Sequence, residues 1–339
     1  MIVMPSTRIL KADPNQPDPE VIAEAAQILR GGGLVAFATE TVYGLGADAT
    51  NPEAVARIFA AKGRPSTNPL IVHVADRVSA QDCVMIWPDQ AEILAEQFWP
   101  GPLTLVLPRS RHIPDIVTAG QNTVGVRVPR LDVARWLILE AGRPIAAPSA
   151  NRSLGVSPTL AQHVLADLDG KVDLILDSGP TTVGIESTVL DLSSDLPTVL
   201  RPGEITMEQI AEVLGETVVS LGHAAEPAKS PGQMDVHYAP RTRAYRVERD
   251  NLPKSPIIGQ FAVLAIGGLP EGWNGPGNSF TSHGRLFVTF KPIYASRLLY
   301  FWLRELDLLG LDYLIVVAPP DEPRWRAIRD RIWRATRPW

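Results

Sequence analysis

The sequence predicts an α/β protein with a mixed sheet, followed by a smaller α/β region. Short apolar runs typical of buried strands interleave with amphipathic helical segments, and they show no strict repeat. Residues 222–243 interrupt this pattern, because they are rich in Ala, Pro and Gly and lack apolar periodicity. The length of 339 residues leaves room for about two domains. We therefore predict a first domain over 1–221, a linker over 222–243 and a small domain over 244–339.

Composition and charge exclude several functional classes. Hydrophobic residues make up 45% of the chain and charged residues 20%, which is typical of a globular protein and not of a disordered one. A formal net charge of −5 argues against a chain that mainly coats nucleic acid or an anionic membrane. The single cysteine, Cys83, excludes a disulfide framework and a Cys-based zinc site. With no secretory signal or long apolar run in view, we expect a soluble cytoplasmic protein.

Two helices near the N-terminus carry clear capping signals. Asp18 stands before Pro19 and Asn51 before Pro52, and apolar residues then recur at helical spacing. A polar turn, TETVYGLG (39–46), lies between the two helices, after the apolar run 34–38. The same reasoning predicts helices near 18–33, 51–62, 89–99, 131–141, 206–214 and 295–309, and strands at 34–38, 70–75, 103–108, 124–129, 145–147, 174–177, 187–192, 198–203, 261–266, 286–290 and 311–320.

The C-terminal stretch combines arginines with a helical apolar stripe. Trp325, Ile328 and Ile332 stand at helical spacing. The arginines occupy positions 324, 326, 329, 331, 334 and 337. We predict a helix whose apolar stripe is buried and whose arginines form a solvated face.

Familiar nucleotide and hydrolase signatures are absent from the sequence. It contains no GxxxxGK[ST] loop, and its GGG at 31–33 precedes a strand, whereas a phosphate loop follows one. Neither GxSxG nor HExxH occurs. Any nucleotide chemistry must therefore use a different phosphate cradle.

The densest polar cluster is KGRPSTNPLIVHV (62–74). Lys62 and Arg64 make a sensible phosphate clamp, because a guanidinium offers a planar fork and an ammonium a point charge. The alternative is that they only offset the dipole at a helix C-terminus. His73 alternates with apolar neighbours and so faces the other side of its strand, where a lone histidine is more often structural than a ligand.

Further candidates stand at or near strand ends. Ser149 and Asn151 in APSANRS (147–153) follow a strand directly, where ligands usually bind in α/β sheets, although they could be ordinary turn residues. Arg127 in VGVRVP (124–129) either meets a ligand on the sheet face or points outward into solvent. Weaker candidates are Ser187, Thr188 and Arg201.

Taken in order, these segments resemble a known family. TETVYGLG, KGRPSTNPL (62–70), WPGPLTLVLP (99–108), VGVRVP, APSANRSLGVSPT (147–159) and STVLDL (187–192) are similar to the YrdC-like domain of threonylcarbamoyl-AMP synthases. SPGQMDVHYAP (230–240) and the region after it resemble the long form of the family. The resemblance implies a YrdC-like domain with a mixed, twisted sheet and a small Rossmann-like C-terminal domain.

The resemblance also implies an activity and its residues. Such enzymes are nucleotidyltransferases that join L-threonine, bicarbonate and ATP into threonylcarbamoyl-AMP and pyrophosphate, for threonylcarbamoyladenosine modification of tRNA by a downstream transferase. Mg²⁺ would accompany ATP without a nameable protein ligand, and no organic cofactor is implied. The implied catalytic residues are Lys62, Arg64, Ser149 and Asn151. L-threonine is assigned to Thr41, His73, Arg127, Ser149 and Ser187. ATP is assigned to Arg64, Asn68, Thr123, Asn151, Thr159, Arg201 and Tyr238.

Two other functions stay open. A non-catalytic tRNA- or dsRNA-binding module would fit the basic concave surface of YrdC-like domains, although the negative net charge counts against it. Carbamoyl transfer in hydrogenase maturation uses a related domain, but it also needs zinc-finger cysteines.

We further predict that residues 230–240 fold over the first domain as a lid that protects the adenylate from water. A passive tether is the alternative.

Overall fold

A computed structural model describes residues 6–220, 238–249, 259–267, 285–291 and 294–339. Two compact units make up the chain: residues 1–153 with 157–233, and residues 154–156 with 234–339. The short segment Leu154–Val156 therefore packs with the second unit, which no sequence signal indicates. Our domain limits at 221 and 244 stay predictions. Most of the linker, 221–237, lies outside the described residues.

The helices form where capping residues and apolar spacing predict them. Asp18 caps the first helix through Glu20 N–H, and Asn51 caps the second through Glu53 and Ala54 N–H. The described residues form these α-helices: α1 Pro19–Arg30, α2 Pro52–Lys62, α3 Arg77–Asp82, α4 Asp89–Phe98, α5 Asp115–Thr118, α6 Asp132–Ala141, α7 Ala161–Leu168, α8 Met207–Leu214, α9 Ala295–Asp307 and α10 Arg326–Ala335. Of these, α3, α5 and α7 were not predicted.

Most of the described strands follow the predicted apolar runs. They are β1 Arg8–Lys11, β2 Val35–Ala38, β3 Tyr43–Asp48, β4 Ile71–His73, β5 Leu103–Pro108, β6 Thr123–Arg127, β7 Ile145–Ala146, β8 Leu174–Asp177, β9 Thr188–Asp191, β10 Thr198–Arg201, β11 Val219–Ser220, β12 Arg243–Val247, β13 Phe261–Ile266, β14 Arg285–Phe290, β15 Tyr313–Val317 and β16 Arg337–Pro338.

The first unit is built on one mixed sheet of 11 strands in the order β1-β8-β2-β3-β7-β4-β6-β5-β9-β10-β11. This confirms the predicted mixed α/β fold. Parallel pairing of β4 with β6 sets His73 beside Arg127. The sheet separates two apolar clusters, one of which includes Leu70, Val72 and Val74, while the other lies around α1 and α6.

The turn predicted over 39–46 is too long. Only its first half is a turn, because β3 begins at Tyr43 and pairs antiparallel with β2. Gly46 is needed for packing in this strand, since a Cβ there would lie 2.7 Å from the Phe37 ring. Gly46 therefore serves a close contact between the strand and the core.

The second unit has a five-stranded parallel sheet in the order β14-β13-β15-β12-β16, with α9 and α10 packed on it. This arrangement confirms the predicted small α/β domain. Leu154 C=O accepts a hydrogen bond from Ala239 N–H at 3.0 Å. Among the described residues, no helix is long and apolar enough to cross a membrane.

The prediction for the C-terminal helix is partly wrong. Its apolar stripe is buried as expected, with Trp325 6%, Ile328 4% and Ile332 1% exposed. Arg331 and Arg334 are not solvated, because both are buried and pair with Asp330 at 2.7 and 3.0 Å. A buried carboxylate on the same helix thus compensates their charge, which a pattern of arginines alone cannot indicate.

Candidate active site

An ion pair under the 39–42 turn fixes one end of the site. Arg127, from β6, donates to Glu40 Oε1 at 2.6 Å and to Thr41 Oγ1 at 3.1 Å. Glu40 Oε2 also accepts the backbone N–H of Arg130 at 2.9 Å. The side chains of Arg127 and Glu40 are 4% and 1% exposed. An outward, solvated Arg127 is therefore excluded, and the structure brings Thr41 and Arg127 into contact.

A second buried arginine holds the start of β9. Arg201, at the end of β10, donates to Ser187 C=O at 3.0 Å and to Ser187 Oγ at 3.1 Å. Ser187 Oγ lies 2.8 Å from Thr104 Oγ1. Close backbone packing supports this geometry, since a Cβ on Gly203 would lie 2.3 Å from Thr188 N. Arg201 and Ser187 thus form a rigid polar group at one edge of the sheet.

Lys62 reaches away from its own helix end. Its ammonium group donates to Ser149 C=O and Asn151 C=O, both at 2.5 Å. Lys62 is only 4% exposed. Gly63 ends α2 in the left-handed conformation, and its N–H donates to carbonyl groups of the last helical turn. A mere offset of the helix dipole therefore does not account for Lys62, which instead joins α2 to the loop that carries Ser149 and Asn151.

The other residues assigned to ATP occupy separate places. Arg64 is 8% exposed and donates to the carbonyl groups of Asn68 at 3.3 Å and Pro69 at 3.0 Å. Thr159 N–H donates to His163 Nδ1 at 3.2 Å. Thr123 begins β6, four residues before Arg127. The structure therefore links Lys62 with Ser149 and Asn151, and Thr123 makes no hydrogen bond to these three residues.

His73 is neutral in the folded protein. Burial, together with the guanidinium groups of Arg127 and Arg201, lowers the pKa of His73 to about 3. Its Nδ1 has no hydrogen-bond partner among the described residues. Since unpaired buried polar atoms are rare, this nitrogen is available to a ligand.

The neutral state of His73 predicts a loss of stability in acid. Only the unfolded chain binds a proton between the unfolded pKa of about 6.5 and the lower folded pKa. The free energy of unfolding should therefore fall by up to about 1.4 kcal/mol per pH unit as the pH drops below about 6.5, and this group should have no effect at higher pH. Denaturant titrations of the wild type and His73→Gln across that range measure the difference in slope. Exposed His112→Gln is the control, and equal slopes for the wild type and His73→Gln would contradict a neutral His73.

Tyr238 belongs to the second unit. It is 1% exposed, and its ring stacks on Tyr300 with centroids 5.6 Å apart. The guanidinium of Arg331 lies 5.3 Å from the ring. The assignment of Tyr238 to ATP stays a prediction. Residues 230–237 of the predicted lid lie outside the described residues.

Sequence reasoning did not assign Glu40 and Thr104 to the site. Glu40 is the one carboxylate in the motif TETVYGLG, and nothing else in the sequence marks it. Thr104 is fully buried between core residues Leu103 and Leu105. Side chains alternate between the two faces of a strand, so Thr104 lies on the face opposite Leu103 and Leu105. This alternation was the signal that could have indicated its role. The partners of both residues come from distant segments and could not be read locally.

The fold and these side chains define a class of protein: an α/β protein with a buried, cation-rich site. Four cations of the first unit, Lys62, Arg64, Arg127 and Arg201, are each at most 8% exposed. Hydroxyl and amide groups of Thr41, Ser149, Asn151 and Ser187 accompany them, and Glu40 is a buried carboxylate paired with one of the cations. Such a donor-rich set on a mixed α/β sheet suits small anionic substrates.

Comparison with known proteins identifies the family. The Sua5/YciO/YrdC family, described as "Telomere recombination", matches residues 27–203, and the C-terminal domain of threonylcarbamoyl-AMP synthase matches 205–336. A threonylcarbamoyl-AMP synthase of Pyrococcus abyssi is 42% identical over 92% of this chain and 93% of its own. One of Bacillus subtilis is 52% identical over 66% of this chain and 65% of its own. The chain therefore belongs to the threonylcarbamoyl-AMP synthase family.

A solved structure shows the same fold. The crystal structure of P. abyssi Sua5 complexed with L-threonine covers 98% of this chain, with 99% of its own length matched. It has a TM-score of 0.85 and 36% sequence identity. The match confirms the predicted combination of a YrdC-like domain and a small C-terminal domain.

Proposed function

We propose that this chain joins L-threonine, bicarbonate and ATP to give threonylcarbamoyl-AMP and pyrophosphate, as a nucleotidyltransferase that supplies tRNA modification. The observation that carries the proposal is the set of buried cations in the first unit, within a family whose members are named threonylcarbamoyl-AMP synthase. The reaction brings together bicarbonate, the threonine carboxylate and a triphosphate. Each of these anions needs a compensating donor once water is excluded.

The threonine site combines Thr41, His73, Arg127, Ser149 and Ser187. Arg127 is suited to the substrate carboxylate, because its guanidinium is already oriented by Glu40 and Thr41. The neutral His73 adds no further positive charge, and its unpaired Nδ1 can accept a hydrogen bond from the substrate amine. This matters because only the neutral amine of threonine can attack bicarbonate to form the carbamate.

The ATP site combines Arg64, Asn68, Thr123, Asn151, Thr159 and Arg201, and the family resemblance adds Tyr238. The carbamate oxygen then attacks the α-phosphorus, and pyrophosphate leaves. Lys62 holds the backbone of the 149–151 loop and carries a charge suited to the transferring group. The protein performs no covalent step in this scheme, so catalysis consists of positioning and charge neutralisation.

A magnesium ion is expected with ATP and would neutralise part of the triphosphate charge. Within the described residues, no group of three or more His, Cys, Asp or Glu side chains could hold a metal. Glu40 is engaged by Arg127, and Glu186 accepts from Ser157 Oγ at 2.5 Å. These donors fit an ion carried by phosphate oxygens and water, so we assign it no protein ligand.

The decisive test is pyrophosphate release with each substrate omitted in turn. We expect release only when L-threonine, bicarbonate and ATP are all present, because the nucleophile is the carbamate. Mass spectrometry of the products should show threonylcarbamoyl-AMP. Equal release without threonine would contradict the proposal and indicate a simple nucleotide hydrolase.

A tRNA- or dsRNA-binding module without catalysis is the other function to test. A salt titration of RNA binding, run beside the pyrophosphate assay, separates the two functions. Strong, salt-dependent binding without threonine-dependent turnover would favour the module.

A further inference from the structure

A cavity of about 360 Å³ lies in the first unit and shares no lining residue with the candidate active site. It opens where β4 ends and between the C-terminal ends of α3 and α6. Val74, Cys83, Ile113 and Ile138 form an apolar floor, and each is at most 3% exposed. The volume lies at the lower end of the range for small-molecule sites, about 300–1,000 Å³.

Side chains of opposite charge line the rim of the cavity, and they make few polar contacts with the rest of the described chain. Asp82 and Ser79, on α3, make no side-chain hydrogen bond within the described chain. Arg143 also lines the cavity; its guanidinium lies 3.9 Å from Asp48 Oδ2, and 58% of its side chain is exposed. At that distance the ion pair is weak and easily exchanged for a ligand.

The two charged side chains give the cavity a preference. Asp82 is the last residue of α3, and Arg143 follows Gly142, the C-cap of α6. A carboxylate favours an ammonium group as its partner, and a guanidinium favours a carboxylate.

We propose that this cavity is a second amino-acid site, which binds a small aliphatic amino acid by its zwitterionic head and apolar side chain. The ammonium group lies toward Asp82, the carboxylate toward Arg143, and the side chain on the floor around Val74 and Ile138. The proposal is independent of the catalytic assignment, because no residue is shared between the two sites.

The full-length chain is tested with L-leucine as the probe, by calorimetry. Two analogues each lack one charged group: 3-methylbutylamine has no carboxylate and 4-methylpentanoate has no ammonium. We expect saturable leucine binding, and affinity at least about tenfold lower for each analogue, since each loses a charge-assisted contact. Asp82→Asn and Arg143→Gln should cause similar losses. Asp89→Asn and Arg111→Gln, exposed and outside the cavity lining, are the matched controls.

The variants locate the bound probe, because Asp82 and Arg143 line the cavity and the two control residues do not. No saturable binding would overturn the proposal. Equal affinity for leucine and either analogue would overturn it too, as would leucine binding that L-threonine displaces while Asp82→Asn has no effect.

Discussion

Lys62→Met is expected to reduce turnover about 100-fold or more, because it removes a preorganised charge from the reacting centre. The structure adds a second effect. Lys62 satisfies the carbonyl groups of Ser149 and Asn151, so its loss should also lower the free energy of unfolding by about 1–3 kcal/mol. Pyrophosphate release and denaturant unfolding, measured on the same samples, give both quantities.

The matched control for this prediction is Lys171→Met, because Lys171 is exposed. It should leave both quantities unchanged. If Lys62 acted only at its helix end, Lys62→Met would cost about 0.3–1 kcal/mol and leave turnover nearly intact. That result would remove Lys62 from the catalytic set. Arg64→Ala tests the other half of the clamp, and we expect a loss of turnover of similar size, about 100-fold.

Glu40→Gln is expected to cause the largest loss of stability, about 3–5 kcal/mol, because breaking a buried ion pair leaves an uncompensated charge. Arg127 would retain only Thr41 Oγ1 and the Gly101 C=O, at 3.1 and 3.2 Å. A glutamine amide also cannot accept from Arg127 and from Arg130 N–H as both carboxylate oxygens do. Unfolding titrations measure the cost directly.

The same substitution tests how Arg127 meets the substrate. We expect the KM for threonine to rise about tenfold or more with a smaller change in kcat, since a loosened guanidinium loses its fixed geometry. Exposed Glu212→Gln is the control and should change neither stability nor KM. A lower KM for threonine would show that Glu40 competes with the substrate carboxylate, and would contradict the positioning role.

Local signals were sufficient for most of the elements that carry the site. Capping at Asp18 and Asn51 placed α1 and α2, and the alternation around His73 placed its side chain opposite Leu70, Val72 and Val74. These features depend on neighbours within a few residues, and so they can be read directly. The motifs, taken in their order along the chain, indicate the family without any knowledge of tertiary contacts.

The register of the sheet decided which candidates meet. His73 lies beside Arg127 because β4 pairs with β6 in parallel, a pairing that spans more than fifty residues of sequence. The buried partners Glu40 with Arg127, and Thr104 with Ser187, are also remote in sequence. The sequence around one member of such a pair does not indicate which residue is its partner.

The sequence by itself determined the α/β class, the helices with clear caps, the family and the residue types suited to an anionic substrate, because these depend on composition and short-range spacing. Only the tertiary structure decided that Lys62 holds the 149–151 loop, that Glu40 compensates Arg127, and that Arg331 and Arg334 are buried against Asp330. The physical reason is the same in each case. Removing a charge from water is costly, so a buried charge requires a partner, and that partner is brought to it by long-range packing.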